Sequence, residues 1–441
     1  MIGAMDTGKS YEKVVFPNGA RLIIIPMTGV QSIATSVMVN VGSRYETPGI
    51  NGISHFLEHM VFKGTKKFPT TEDVNFIERL GGLQNAYTDI DVTNYHNKVL
   101  AGDWQEALEL NKELALHPRL EEKYVEKERN VILEELKREE DEPAVKVGET
   151  FHEMLYPGTK LGMRIIGTEK ALRGSDATKL RRYHDAWYQP ERMVVVVAGN
   201  VSQGQGAFRQ NSGQARVKGQ VEAWFGTLKK NTTEKEEVVF DGQKKPQVAV
   251  VTKPDAQQAH LTLGLRVFAR SDEDRFAWTV FNLLFGVSFT SRLFKEIREK
   301  RGLCYAIRSN ADTWADVGYW SVYAGVATDK VQEATSAIMD ELKKVVENGV
   351  TEEEVAVARK RLLTMLAFRS EDPEFMNEYY GRQELFHLPV MTLDDYFRKV
   401  RGVTKEMINT VVRKYIVQKN LNLALVWNKP EDESLVQILR I

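Results

Sequence analysis

At 441 residues the chain is longer than one ordinary hydrophobic core serves, and a norm of about 100–200 residues per domain points to two domains. Hydrophobic residues at 42% and charged residues at 27% belong to a folded globular protein, while 60 basic against 61 acidic residues give a net charge of −1 and exclude a global field directed at nucleic acid or an anionic membrane. The single cysteine, Cys304, excludes an internal disulfide framework and a thiolate metal cluster, so any metal must be held by nitrogen and oxygen.

The chain opens with GAMDTGKS at 3–10, which matches the G-x-x-x-x-G-K-S phosphate loop letter for letter. That loop requires a strand before it and a helix N-terminus after it. Here only Met1 and Ile2 precede it, and YEKVVFPNGARLIII follows, two β-rich runs joined by Asn18-Gly19, which is a hairpin pattern. A disordered or vector-derived tail is the better reading of residues 3–10. No apolar secretory core is visible at this end, and the longest apolar run, MVVVVAG at 193–199, is far short of the roughly 18 residues of a membrane span. The expectation is a cytoplasmic chain without a membrane span, and 193–199 reads as a buried strand.

Further along, SIATSVMVNVG reads as a strand, TTEDVNFIERLGG as a helix with a threonine cap and a Gly81-Gly82 stop, residues 83–100 as two strands, and DWQEALELNKELAL as a helix. The second half repeats this order. QNAYTDIDVTNYHNKVLAGDWQEALELNKELAL from residue 84 aligns with SNADTWADVGYWSVYAGVATDKVQEATSAIMDEL from residue 309, placing Asn85-Ala86 over Asn310-Ala311 at an offset of 225 residues. The predicted fold is α+β, with two homologous domains, 1–235 and 236–441, each a mainly antiparallel sheet with helices packed on one face. Between them, residues 201–220 are rich in Gly, Gln and Ser and read as a mobile surface loop, and 227–246 read as a charged connector.

Chemistry concentrates in HFLEH at 55–59. On a helix over 51–62, Ile53, Phe56, Leu57, Met60 and Val61 gather on one side, and His55, Glu58, His59 and Phe62 on the other. Two imidazoles and a carboxylate converging away from the packing face suit a shared metal, and they equally suit an ordinary solvated helix face. A third ligand would decide between these. The segment 121–142 reads as a helix on which Glu128 and Glu135 share a face with Tyr124, Val125, Val131 and Ile132, while Glu134 points elsewhere and Glu139 follows Lys137-Arg138 toward solvent. Carboxylates inside an apolar stripe need a cation or donor, either a metal or a lysine from a neighbouring helix.

These residues resemble the pitrilysin family of zinc metallopeptidases, the inverted-motif group that includes the mitochondrial processing peptidase. The family pattern is HxxEH followed about 76 residues later by a glutamate in an ER-x-V-x-x-x-E helix; ERNVILEE places that glutamate at Glu135. The resemblance covers nearly the whole chain, the duplication included. It implies a zinc endopeptidase in which His55, His59 and Glu135 bind one zinc per chain, Glu58 is the general base and Glu128 steadies a histidine. Within GGLQNAYT it implies that Asn85 and Ala86 lie on an edge strand that pairs with the substrate backbone, although the residues alone say only that Asn85 begins a strand. In SRLFKEIREKRGLCYAIRSN it implies Arg298 and Tyr305 as residues that reach the substrate carbonyl in a closed chamber. SFTSRLF, at the matching place in the second half, has no histidine, so one metal per chain is expected. Half-length members of the family form dimers. This chain carries both the metal set and the arginine–tyrosine pair, so a homodimer is the simplest expectation, with a heterodimer the alternative. A non-catalytic core subunit of a larger assembly is the competing function, and nucleotide binding by GAMDTGKS the third.

Overall fold

The computed structural model describes residues 11–201, 210–229, 242–430 and 432–441. GAMDTGKS lies outside the described residues, and the chain after it is strand, where the phosphate-loop motif would need a helix. Among the described residues no helix is long and apolar enough to cross a membrane.

The first sheet holds β1 (Glu12–Val15), β2 (Arg21–Pro26), β3 (Ser32–Val39), β4 (Leu83–Thr88), β5 (Thr93–Leu100) and β6 (Met193–Gly199) in the order β1-β2-β6-β3-β5-β4. β2 and β6 run parallel and the other neighbours antiparallel. Gly19, at φ 93, makes the predicted turn between β1 and β2. The MVVVVAG run becomes β6, whose seven residues are all buried because both faces of the sheet are covered here. Successive strand residues point to opposite faces. Thr35 therefore meets Asn111 of helix Trp104–Leu116 on one face, while Ser36 meets Asn377 of helix Pro373–Leu385 on the other.

The second sheet holds β7 (Gln247–Thr252), β8 (Gln258–Val267), β9 (Cys304–Thr313), β10 (Gly318–Ala327) and β11 (Asn422–Trp427) in the order β7-β11-β8-β10-β9, with β7 and β11 parallel. It repeats the first sheet strand for strand apart from β1. The repeat sets edge strand on edge strand, since Asn85-Ala86 lie in β4 and Asn310-Ala311 in β9. The two compact units are assembled from discontinuous stretches. One comprises Met1–Glu134, Arg164–Glu236 and Ala367–Thr392, and the other Glu135–Met163, Glu237–Leu366 and Leu393–Ile441. Helix Pro143–Leu155 thus packs on β7, β8 and β11, and helix Pro373–Leu385 on β2, β3 and β6. The latter comes close because Gly381 sits against Met38 and Val196, where a Cβ would meet the Met38 sulfur at 2.7 Å.

The expectation of a mobile loop over 201–220 needs correction. Gln210–Phe225 is a helix; residues 202–209 and the connector's 230–241 lie outside the described residues. Val217, Val221 and Phe225 recur every four residues and are buried, and Asn18 of the first hairpin donates from Nδ2 to the carbonyls of Phe225 (2.7 Å) and Leu228 (3.0 Å) at the end of the helix. Composition suggested a loop, but a sparse apolar stripe was enough to dock a helix.

Two predictions follow from packing. Asn377, 4% exposed, accepts from Ser36 Oγ at 2.6 Å and donates to the carbonyls of Ala34 (3.2 Å) and Val196 (3.0 Å). Asn377→Ala is expected to cost about 2–4 kcal/mol, read as a lower denaturant midpoint at unchanged slope; an unchanged midpoint would mean that helix 373–385 is held by other contacts. Burial pushes the Cys304 thiol up to about 11 even though Arg298 lies nearby. The native protein should therefore resist iodoacetamide at pH 7 to 8 and react readily only in denaturant, where the thiol recovers an ordinary pKa near 8.5; rapid native alkylation would contradict that burial.

Candidate metal centre

Helix Ile53–Val61 forms as its periodicity predicts, with Ile53, Phe56, Leu57, Met60 and Val61 at most 1% exposed and His55, Glu58 and His59 half-buried on the other side. Its start is unusual. Gly52 stands at φ 94 with no side-chain cap of its own, and a Cβ there would meet the Ile166 carbonyl oxygen at 2.5 Å, so only glycine fits. The cap comes from Glu46, six residues upstream. Its carboxylate accepts from the backbone N–H groups of Gly52 (2.7 Å) and Ser54 (2.8 Å) and from Asn51 Nδ2 (2.9 Å). Burial raises the Glu46 carboxyl to about 7 against the pull of these donors. The hydroxyls of Ser54 and Tyr183 meet at 2.7 Å and complete the anchorage.

Helix Glu122–Asp141 brings the other carboxylates. Val125, Ile132 and Leu136 form its buried stripe, with Glu128 and Glu135 along one edge. Val131 departs from the expectation: it is 47% exposed, because at about 100° per residue it falls beyond that edge. Glu134 is exposed and Glu139 half-buried. Arg129 fastens the helix by donating to the carbonyls of Leu172 (3.2 Å) and Ser175 (2.6 Å). Glu135 is the first residue of the second compact unit, but the helix runs unbroken through it, so the same rigid element positions Glu135 and Glu128.

One ligating atom each from His55, His59 and Glu135 lie within 4.8 Å of one another, and among the described residues this is the one such His/Cys/Asp/Glu group. A tetrahedral ion with bonds of about 2.1 Å wants donors about 3.4 Å apart, so small side-chain rotations close the set. The imidazole rings lie edge to face at 4.6 Å. Burial, followed by the neighbouring His59, pushes the His55 pKa down to about 3, which keeps it the neutral imidazole that coordination requires.

Glu128, 5% exposed, decides how His59 is held. Its Oε1 lies 3.1 Å from His59 Nδ1 and its Oε2 2.8 Å from Lys63 Nζ. The lysine alternative raised by the sequence therefore holds for Glu128 in part. Burial would raise this carboxyl, but the His59 hydrogen bond and the Lys63 ammonium outweigh it and hold the pKa below the usual carboxylate value. An ionised Glu128 accepts the Nδ1 proton of His59 and leaves Nε2 as the lone pair for a metal. The donor set and this tautomer lock fit a zinc ion. Glu135 Oε1 also lies 3.4 Å from the exposed Arg138.

Glu58 sits between the two histidines in the sequence; burial, then the Tyr188 hydroxyl 2.7 Å away and last the Glu58 charge, raise the pKa of Tyr95. Beside helix 53–61 runs β4, which among the described residues pairs only with β5 and forms the sheet edge. There Asn85 Oδ1 accepts the N–H of Ala86 at 2.9 Å, covering one edge donor. Arg298 and Tyr305 belong to the second unit. Arg298 lies on a π-helical turn, Phe294–Lys300, with its guanidinium 4.9 Å over the Phe294 ring, and Tyr305, 65% exposed, stands at the start of edge strand β9. Sequence reasoning missed Glu46, Lys63 and Tyr183. Lys63 follows His59 by four residues and was findable from helical spacing, whereas no local pattern marks Glu46 or Tyr183.

Comparison with known proteins agrees with this arrangement. The family model described as Insulinase (Peptidase family M16) matches residues 23–169, and that described as Peptidase M16 inactive domain matches 176–362. The chain is 32% identical to the uncharacterized zinc protease YmxG of Bacillus subtilis, covering 93% of this chain and 96% of the relative. It is 31% identical to the uncharacterized zinc protease Rv2782c of Mycobacterium tuberculosis, covering 97% and 95%. Among solved structures, a protease from Helicobacter pylori superposes with a TM-score of 0.86 at 23% identity, covering 95% of this chain and 99% of that one. The periplasmic protease PqqL of Escherichia coli gives 0.78 at 19%, covering 99% of this chain and 50% of that one. With its two sheet-and-helix units and its full-length zinc-protease relatives, the chain belongs to the M16 peptidase family.

Proposed function

We propose that the protein is a zinc endopeptidase that hydrolyses extended or unfolded peptides, with one zinc per chain held by His55, His59 and Glu135. The convergence of these three donors, with Glu128 fixing the His59 tautomer, is the observation that carries the reading. A zinc ion in such a site acidifies water and polarises a carbonyl. Glu58 takes a proton from the attacking water and returns it to the leaving amine, the work of a general base that becomes a general acid. Asn85 and Ala86 offer edge-strand groups to the substrate backbone, which gives affinity without strong sequence preference. For this the N–H of Ala86 must exchange its bond to Asn85 Oδ1 for one to the substrate. Arg298 and Tyr305 are assigned to the substrate carbonyl by family pattern. A homodimer with two such sites, in the cytoplasm, completes the proposal.

The competing reading is a non-catalytic core subunit. The description "inactive domain" applies to the model that matches residues 176–362, the half whose SFTSRLF lacks a histidine, whereas the first half retains His55, Glu58, His59 and Glu135.

Three variants test the proposal. Glu58→Gln is expected to retain about one zinc by elemental analysis and to lose peptide cleavage by a factor of at least about 10²; activity equal to the parent would remove Glu58 as base. Glu135→Ala should lose both metal and activity, and chelation should reproduce that loss. Glu128→Gln should weaken zinc about 10–100-fold, the usual effect of a partner that orients a metal ligand; unchanged zinc affinity would leave Glu128 without the assigned role.

A further inference from the structure

Edge strand β4 carries an apolar shelf that the metal centre does not use. Its exposure alternates: Leu83 and Asn85 are exposed, Gln84 is half-buried and Ala86 is buried. The Tyr87 hydroxyl reaches Glu378 of helix 373–385 at 2.6 Å, so the odd-numbered side chains of β4 share the face on which that helix lies. The helix covers only part of this face. It starts at Pro373, where Asp372 and Glu374 meet Lys98 at 2.8 and 3.6 Å, and Lys98 is the β5 residue directly opposite Leu83. Leu83 and Leu100, diagonal neighbours on the same face, stay 62% and 60% exposed.

Charge and backbone direction fix what can lie against this shelf. Exposed leucines beside a sheet edge make that edge adhesive toward another strand. The ammonium of Lys98, between the two leucines, is neutralised by Asp372 and Glu374, so the shelf offers methylenes rather than a charge. The Ala86 N–H, bonded to Asn85 Oδ1 at 2.9 Å, points away from β5. In the alternation of an antiparallel pair, Gln84 and Ala86 therefore turn their backbone groups outward, while Leu83 and Asn85 bond to β5. A guest strand that bonds antiparallel to Gln84 and Ala86 sets one residue opposite Leu83 in the non-hydrogen-bonded position, where Cα atoms are about 4.5 Å apart and side chains come closest.

We propose that Leu83 and Leu100 select extended peptides with a large aliphatic residue at one position, the one opposite Leu83 and two residues from the one opposite Asn85. The proposal rests on the edge-strand reading of β4 given above and adds side-chain selection to it. An aliphatic side chain there packs on Leu83, with Leu100 along the diagonal, while the main-chain bonds to Gln84 and Ala86 remain common to all peptides. Because both leucines sit at the open surface the selection is moderate, up to about fivefold in affinity for one cross-strand apolar pair.

The test is fluorescence anisotropy of two labelled, blocked nonapeptides that differ only in a central leucine or serine, titrated with the intact Glu58→Gln protein so that binding is read without turnover. The leucine peptide should bind saturably and about three- to fivefold tighter than the serine peptide. Adding Leu83→Thr and Leu100→Thr together should bring that ratio to about one with thermal unfolding unchanged, since both positions are exposed and threonine suits a strand. No saturable binding of the leucine peptide, equal affinity for the two peptides, or a ratio that survives the double substitution would overturn the proposal. Preferential binding of the leucine peptide, with the parent protein cleaving neither, would contradict the peptidase reading and leave the selection by Leu83 and Leu100 supported.

Discussion

The hydrogen bond between His59 and Glu128 is the constraint on which the proposed metal centre depends. It joins helix 53–61 to helix 122–141, turns the His59 ring and assigns its proton to Nδ1. Glu128 can do this only as an anion, and it stays ionised at 5% exposure because Lys63 completes its coordination. Seven residues along the same helix, Glu135 then falls beside both imidazoles. The carboxylate set inside an apolar stripe is thus the coupling element between two helices.

A second layer holds the geometry in place. Glu46 supplies the cap that Gly52 cannot, so the helix starts at a fixed point and its histidines emerge at fixed height. Gly52 and Gly167 approach too closely for any side chain, each with a Cβ position within 2.5 Å of a carbonyl oxygen of the opposing segment. Arg129 fastens the second helix. The proposed ligands stand on regular elements rather than loops, which is what a preorganised site requires.

Much of this was legible in the sequence because it is periodic or spaced. The apolar face of 53–61, the strands around Asn18-Gly19 and Asn85-Ala86, the duplication at 225 residues and the placing of Glu128 and Glu135 on one helix face all follow from local rules. What was missed depends on distance or on sparse signals. Glu46 acts across a loop, and helix Pro373–Leu385 reaches the first sheet from the far end of the chain through Asn377 and Gly381. Helix Gln210–Phe225 was hidden by its Gly- and Gln-rich composition, although Val217, Val221 and Phe225 mark its face. Val131 was placed on the wrong side because a stripe drawn around Glu128 and Glu135 is centred too far from Leu136.

The central claim concerns what surrounds the metal, and X-ray absorption at the zinc edge of the purified protein reads that directly. The account predicts two imidazole nitrogens and carboxylate oxygen at about 2.0–2.2 Å with no sulfur, and loss of one imidazole contribution or of the bound zinc itself in His59→Ala. A zinc shell without histidine, or one that is unchanged in His59→Ala, would contradict it.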